Sequence, residues 1–324
     1  MIWNTSSDAT LAVDLGIEAV RVIQLQSRKG LLRMDFFAEQ GVAEGPLANL
    51  PERQLGALRD LLALQRVRTR RVIAALPTCL VLTRTVLLDK SKGESAEDQI
   101  LWALSNCLPF DSADLMFDYW KVGETVGPGG VRSPEVMVAA TQASVVDKYL
   151  AGFEKLHLRC AHLDVAPCAI ATLLSRTSTH KDAPVGTITL TRNHGFFAIA
   201  ERGQVLFWRP FELSAGSGGG AAGMAASLER IGEEVSKCVS HMVGTMHIEN
   251  LSEMVLFGHG SDELVVNEYL KNRFHLPVRN VSPFDALPAE SLPSALREAA
   301  SATATHYCTA LGLALQTAGG MVHG

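Results

Sequence analysis

Asp14-Leu15-Gly16 is the stretch whose residue types could do chemistry. It closes the apolar run TLAVDLG, and VRVIQLQ alternates after it, so a strand, a tight turn and a second strand are expected. In such a turn a glycine lets backbone N–H groups approach a phosphate, and the carboxylate can hold a metal-bound water. An ordinary hairpin uses the same two residue types. The following Ile17 and Glu18 are neither small nor hydroxylated, and Glu18 would set a like charge beside an anion. Gly258-His259-Gly260-Ser261 follows the apolar run MVLF and opens a helical pattern. Backbone donors there could take a nucleotide's phosphate or sugar, while Ser261 before Asp262 and Glu263 is equally a helix cap. Gly218 to Gly223 matches GxGxxG, but in a low-complexity run with no acid at the expected distance, so a flexible bridge is expected. There is no GxSxG elbow, HExxH or P-loop lysine, and no catalytic base or metal cluster stands out.

The elements that must position these residues form a pattern that occurs twice. Leu11 to Val42 reads as a three-strand meander, followed by a helix with Leu55, Leu58, Leu62 and Val67 on one face and the buried strand RVIAALP. After the linker TSTHKDAPVG, Gly186 to Leu213 again reads as strand, turn, strand, turn, strand. There the turn carries Thr189, Leu190 and Thr191 where the first half has its Asp-x-Gly, so any second carboxylate is missing. Between the halves, Ser95 caps a helix with Asp98 three residues on, and Pro109 stops it.

Bulk properties narrow the classes. With 324 residues, 47% of them hydrophobic, the chain can build one large or two medium domains. A net charge of −5 and one short basic cluster, Arg66 to Arg71, give no footprint for nucleic acid. The six cysteines make no CxxC pair, as expected of buried, reduced thiols in a cytoplasmic protein. No apolar run approaches a membrane span, so membrane association is expected only through a partner.

Several segments together resemble the PilM family, the actin-like proteins of type IV pilus assembly that are close in fold to FtsA. LAVDLGIEAVRVIQL is similar to the family's GIDIG-S-x-x-VKVVEL, with Arg21 in the lysine position. RVIAALPTCLVLTRTVLL is similar to its A-(I/V)-P-x-x-x-V strand pair, and Pro109-Phe110 with Asp118-Tyr119 to its P-F and D-Y pairs, residues expected to pack within the module. MVLFGHGSDELVVNEYL, LPVRNVSPFDAL and ALGLAL are similar to its closing segments. The resemblance implies an α/β, two-domain actin-like ATPase (ribonuclease H-like) fold, domain I over 1–183 and domain II over 184–324. It also implies an inserted FtsA/PilM-type module at about 84–166 and a last helix packing back on domain I. It implies a partner, the cytoplasmic N-terminal tail of a PilN-like inner-membrane protein, with other pilus or secretion-platform proteins nearby.

The chain departs from the family at its second D-I-G and at the helical subdomain that contacts the nucleoside, which SAGSGGGAAG bridges. The reading is therefore a scaffold with a degenerate nucleotide cleft. Asp14, Gly16, Gly258, Gly260 and Ser261 would be its remnants, with ATP or ADP bound weakly if at all and no metal. A working actin-like ATPase or sugar kinase is the alternative, and a filament-forming protein a third.

Overall fold

A computed structural model describes residues 9–28, 31–65, 67, 69–89, 93–105, 107–126, 132–180, 182–213, 221–246, 248–258, 264–292 and 304–318. The chain divides into two compact units, one of Met1–Thr78 with Leu150–Gly324 and one of Cys79–Tyr149.

The larger unit repeats one sheet plan. In its first half β1 (Ala9–Leu15), β2 (Ala19–Arg28) and β3 (Leu31–Gly41) form an antiparallel meander. Helix α1 (Leu50–Ala63) then leads to β4 (Arg71–Leu76), parallel to β1. Every residue of β1 is buried, as a central strand covered on both faces requires. The buried residues of α1 are Leu50, Pro51, Gln54, Ala57, Leu58 and Leu61; of the expected stripe Leu58 is buried, Leu55 and Leu62 are half-buried, and Val67 lies beyond the helix. A polar residue holds a core position because its amide has work there: Gln54 Nε2 donates to the carbonyls of Leu15 (2.7 Å) and Gly16 (2.9 Å). That satisfies buried backbone acceptors and fixes the first turn.

The smaller unit is a three-stranded antiparallel sheet ordered β5 (Leu82–Leu87), β7 (Arg132–Gln142), β6 (Leu115–Val126), carrying α2 (Ala96–Ser105). Val86, Leu88, Ile100, Leu104, Val136, Val138 and Ala140 make its core. Ser95 caps α2 as expected: the Asp98 N–H donates to its hydroxyl at 3.0 Å, and the hydroxyl donates to the Asp98 carboxylate at 2.7 Å. Tyr119 packs on the core and donates its hydroxyl to Glu97 at 2.8 Å. Pro109 and Asp118, expected to pack inside, are exposed. The boundary of the inserted module also differs from the expected 84–166. Helix α3 (Ala143–Lys155) begins in the small unit, but β8 (Arg159–Val165) pairs in parallel with β4 and completes the first sheet as β3-β2-β1-β4-β8.

The second half opens after α4 (Ala166–Thr177). Strands β9 (Val185–Leu190), β10 (His194–Glu201) and β11 (Gln204–Glu212) form the second meander. Helix α5 (Ala221–Thr245) leads to β12 (Glu253–Gly258), parallel to β9; α6 (Leu264–Phe274) leads to β13 (Val278–Asn280), parallel to β12. The order β11-β10-β9-β12-β13 copies the first sheet strand for strand. The final helix α7 (Cys308–Ala318) packs on α4 and across β1, β2 and β4. Gly312 permits this: a Cβ there would lie 2.0 Å from the Ala169 carbonyl oxygen of α4. All six cysteines are free; Cys238 and Cys308 are buried, and the other four, expected inside, are only half-buried. Among the described residues no helix is long and apolar enough to cross a membrane.

Candidate functional site

A cleft of about 290 Å³ opens between the two sheets of the larger unit. Its walls are the β1–β2 turn, the β9–β10 turn, the end of β12 at Gly258 and the residues around the start of α7, His306, Cys308 and Thr309. The structure thus brings together Asp14, Gly16 and Gly258 of the expected site. Gly260 and Ser261 lie outside the described residues, as does most of the glycine-rich bridge between β11 and α5.

Asp14 is positioned by strand register. It stands opposite Arg21 on β2, and Arg21 stands opposite Glu39 on β3, so all three side chains share one sheet face. Arg21 Nη1 is 4.0 Å from Asp14 Oδ2, and its Nε donates to Glu39 Oε2 at 3.0 Å. Burial raises the Asp14 carboxyl and the Arg21 guanidinium partly opposes this, leaving it at about 6. The ladder explains Arg21: a cation midway between two carboxylates, one of them at the floor of the cleft. The β1–β2 turn sets the pairing of positions 14 and 21, which could have been read once that turn was placed; a bulge between Gln24 and Leu25 shifts the β2–β3 register by one, so the pairing with Glu39 could not.

A stability effect follows. An unfolded Asp14 gives up its proton near 3.8, whereas the folded one holds it to about 6. Between these values the unfolded chain binds fewer protons, so this group lowers stability as pH rises, reaching about 3 kcal/mol above the window. Asp14→Asn is therefore expected to raise the unfolding free energy by about 2–3 kcal/mol at pH 8 and to leave it nearly unchanged at pH 4. Urea melts at the two pH values check this; equal effects at both would exclude it.

Gly16 and Gly258 are both demanded by the backbone. A Cβ on Gly16 would come 2.5 Å from the Ala19 carbonyl oxygen across the turn. Gly258 has φ +88°, and a Cβ there would lie 1.9 Å from the Leu190 carbonyl oxygen of the paired strand. Thr305 Oγ1 also donates to the Gly258 carbonyl at 3.2 Å.

The β9–β10 turn presents donors. The Thr191 N–H closes the turn on the His194 carbonyl at 2.8 Å. The next two N–H groups face outward and are met by Glu18, which reaches across from the first turn. Thr189 Oγ1 and His194 Nδ1 are buried at the cleft wall with no hydrogen-bond partner. Sequence reading took Glu18 as a charge repelling an anion and missed Gln54, Arg21 and Glu39 as parts of the site. Among the described residues no three His, Cys, Asp or Glu side chains converge in the manner of metal ligands.

Comparison with known proteins places this architecture. The PilM-PilN type IV pilus biogenesis complex contains a chain that matches at TM-score 0.72 and 20% identity, covering 95% of this chain and 98% of that one. A Bacteroides thetaiotaomicron protein with actin-like ATPase fold and unknown function matches at TM-score 0.50 and 13% identity, over 88% of this chain and 96% of its own. The ethanolamine utilization protein EutJ from Carboxydothermus hydrogenoformans matches at 0.50 and 14%, over 95% and 89%. The fold is actin-like. No curated protein matches. The family model described as type IV pilus assembly protein PilM matches residues 12–217. On that match, which takes in the first sheet, the small unit and the second meander, the chain belongs to the PilM family of type IV pilus assembly proteins.

Proposed function

We propose that the protein is a scaffold of the type IV pilus inner-membrane assembly platform. In this reading it is held at the cytoplasmic face of that membrane by the N-terminal cytoplasmic tail of a PilN-like protein. The likeness to a PilM-PilN complex over nearly the whole chain carries the partner. On the small unit Leu101 and Trp102 of α2 stand exposed, apolar area available to a bound segment.

We further propose that the cleft is degenerate and that the scaffold requires no ATP or ADP. The Asp14–Arg21 contact carries this reading. A carboxylate that orders a metal-bound water must be open to the metal; here it is buried and a guanidinium already stands beside it. The equivalent second turn offers Thr189 and Thr191 and no carboxylate. Metal-assisted phosphoryl transfer depends on positioning and charge neutralisation, for which this residue set is a poor fit.

Two titrations test the proposal. A synthetic peptide of the PilN-like protein's N-terminal tail, from the same organism, is expected to bind in calorimetry; no binding would exclude that partner. ATP and ADP, with and without magnesium, are expected to leave the melting temperature unchanged. A ligand at about 100 times its dissociation constant would stabilise the fold by roughly 2.7 kcal/mol, a readily measured shift. A magnesium-dependent shift would overturn the degenerate-cleft reading and favour a working ATPase or kinase.

A further inference from the structure

Glu18 belongs to the first turn, but its carboxylate is bound by the second. The Arg192 N–H donates to Oε2 at 2.9 Å, and the Asn193 N–H donates to Oε1 at 2.9 Å. Thr191 Oγ1 lies 3.1 Å from Oε1. Two successive backbone N–H groups make an anion-binding concavity, with the Thr191 hydroxyl beside it shared between Glu18 and the His194 carbonyl, also at 3.1 Å. Its donors are free for this role because β10 does not use them and Thr191 alone closes the turn. Hydrogen bonds to an ionised acceptor are about twice as strong as neutral ones. The nest lies on the cleft wall, beside the partnerless, nine-tenths-buried Thr189 hydroxyl.

We propose that Glu18 is a built-in anion: its carboxylate occupies the donor nest of the β9–β10 turn in place of an external phosphate oxygen and latches the two turns together across the cleft. The carboxylate is tethered, so it competes as an intramolecular ligand at high effective concentration, and free phosphate cannot displace it. Glu18 thereby supplies the negative charge that this turn's donors require and holds the two turns together without any ligand. The inference deepens the degenerate-cleft reading and rests on it only in taking the unmodified turn as closed to nucleotide.

Amide exchange of the segment from Leu190 to His194, with inorganic phosphate as the probe, tests the latch. In the unmodified protein the Arg192 and Asn193 amides are expected to exchange slowly, with no change on adding millimolar phosphate. In Glu18→Ala and Glu18→Gln these amides are expected to exchange at least about tenfold faster. Phosphate, compared with chloride at equal ionic strength, should restore their protection and raise the melting temperature of both variants. Glu18→Gln keeps the shape and removes the charge, so it reports even if Glu18→Ala folds poorly, and the unmodified protein's exchange needs no variant. Fast exchange at Arg192 and Asn193 in the unmodified protein would overturn the latch. So would an equal phosphate response with and without Glu18, or a failure of both variants to gain one. A magnesium-ATP shift in the unmodified protein that leaves this turn's protection intact would sink the degenerate-cleft reading and support the latch.

Discussion

Replacing Arg279 with alanine is expected to lower the unfolding free energy by about 3–5 kcal/mol. Its partner Glu253 opens β12 with a side chain 1% exposed. Arg279 on β13 grips it through both oxygens, Nε to Oε2 at 2.5 Å and Nη2 to Oε1 at 2.9 Å. The Ser178 hydroxyl, just past α4, donates to Oε1 at 2.7 Å. Burial alone would push the Glu253 carboxyl up. The hydrogen bonds from Arg279 and Ser178, with the guanidinium's charge, outweigh that and hold it below the ordinary glutamate range.

The pair therefore stabilises the fold fully above the ordinary glutamate value, and this is lost as pH falls through the lowered one. Without Arg279 the carboxylate is stranded in the interior, where burial favours its protonated form. The gap between the two proteins should consequently narrow below about pH 4. Chemical denaturation from pH 8 down to pH 3 would show this; a loss under about 1 kcal/mol at pH 7 would mean that solvent, not Arg279, carries the charge.

The second large effect is expected at Gly258→Ala. A left-handed backbone costs a non-glycine residue about 1–2 kcal/mol, and a methyl driven against the Leu190 carbonyl adds an overpacking term of about 1–3. A total near 3 kcal/mol or more is expected, read as a lowered thermal midpoint with no ligand present. Gly41→Ala is the control: no atom lies within 4 Å of its virtual Cβ, so little change is expected. If instead Gly258→Ala kept its stability, the close approach to Leu190 would not be what demands glycine here.

What the sequence disclosed and what it hid follow from the range of the interactions involved. The repeated meander, the Ser95 cap and the Asp14 turn are local patterns, set by alternation and turn residues within a few positions. Glu18 reads locally as a charge in the wrong place; its donors come from more than 170 positions further along, and no periodicity reports such a pairing. Gln54 hides for a related reason, since a polar residue on an apolar helix face breaks the stripe that would have marked it buried. The end of the small unit is hidden in the sequence because strand, helix and strand are contiguous in the chain. Only the parallel pairing of β8 with β4 shows which sheet owns the last strand.

The docking of α7 has a consequence for synthesis of the chain. Strands β1 and β2 are covered by a helix that is translated after every other described strand and helix, Cys308–Ala318. The first sheet must also wait for β8, which follows the whole small unit. The small unit closes on contacts among its own residues and can fold as it leaves the ribosome. The first sheet, by contrast, keeps an apolar face bare until α7 has been made, and such exposure invites aggregation. A chain terminated before Cys308 would expose that face permanently, so α7 acts as a completion check on β1 and β2.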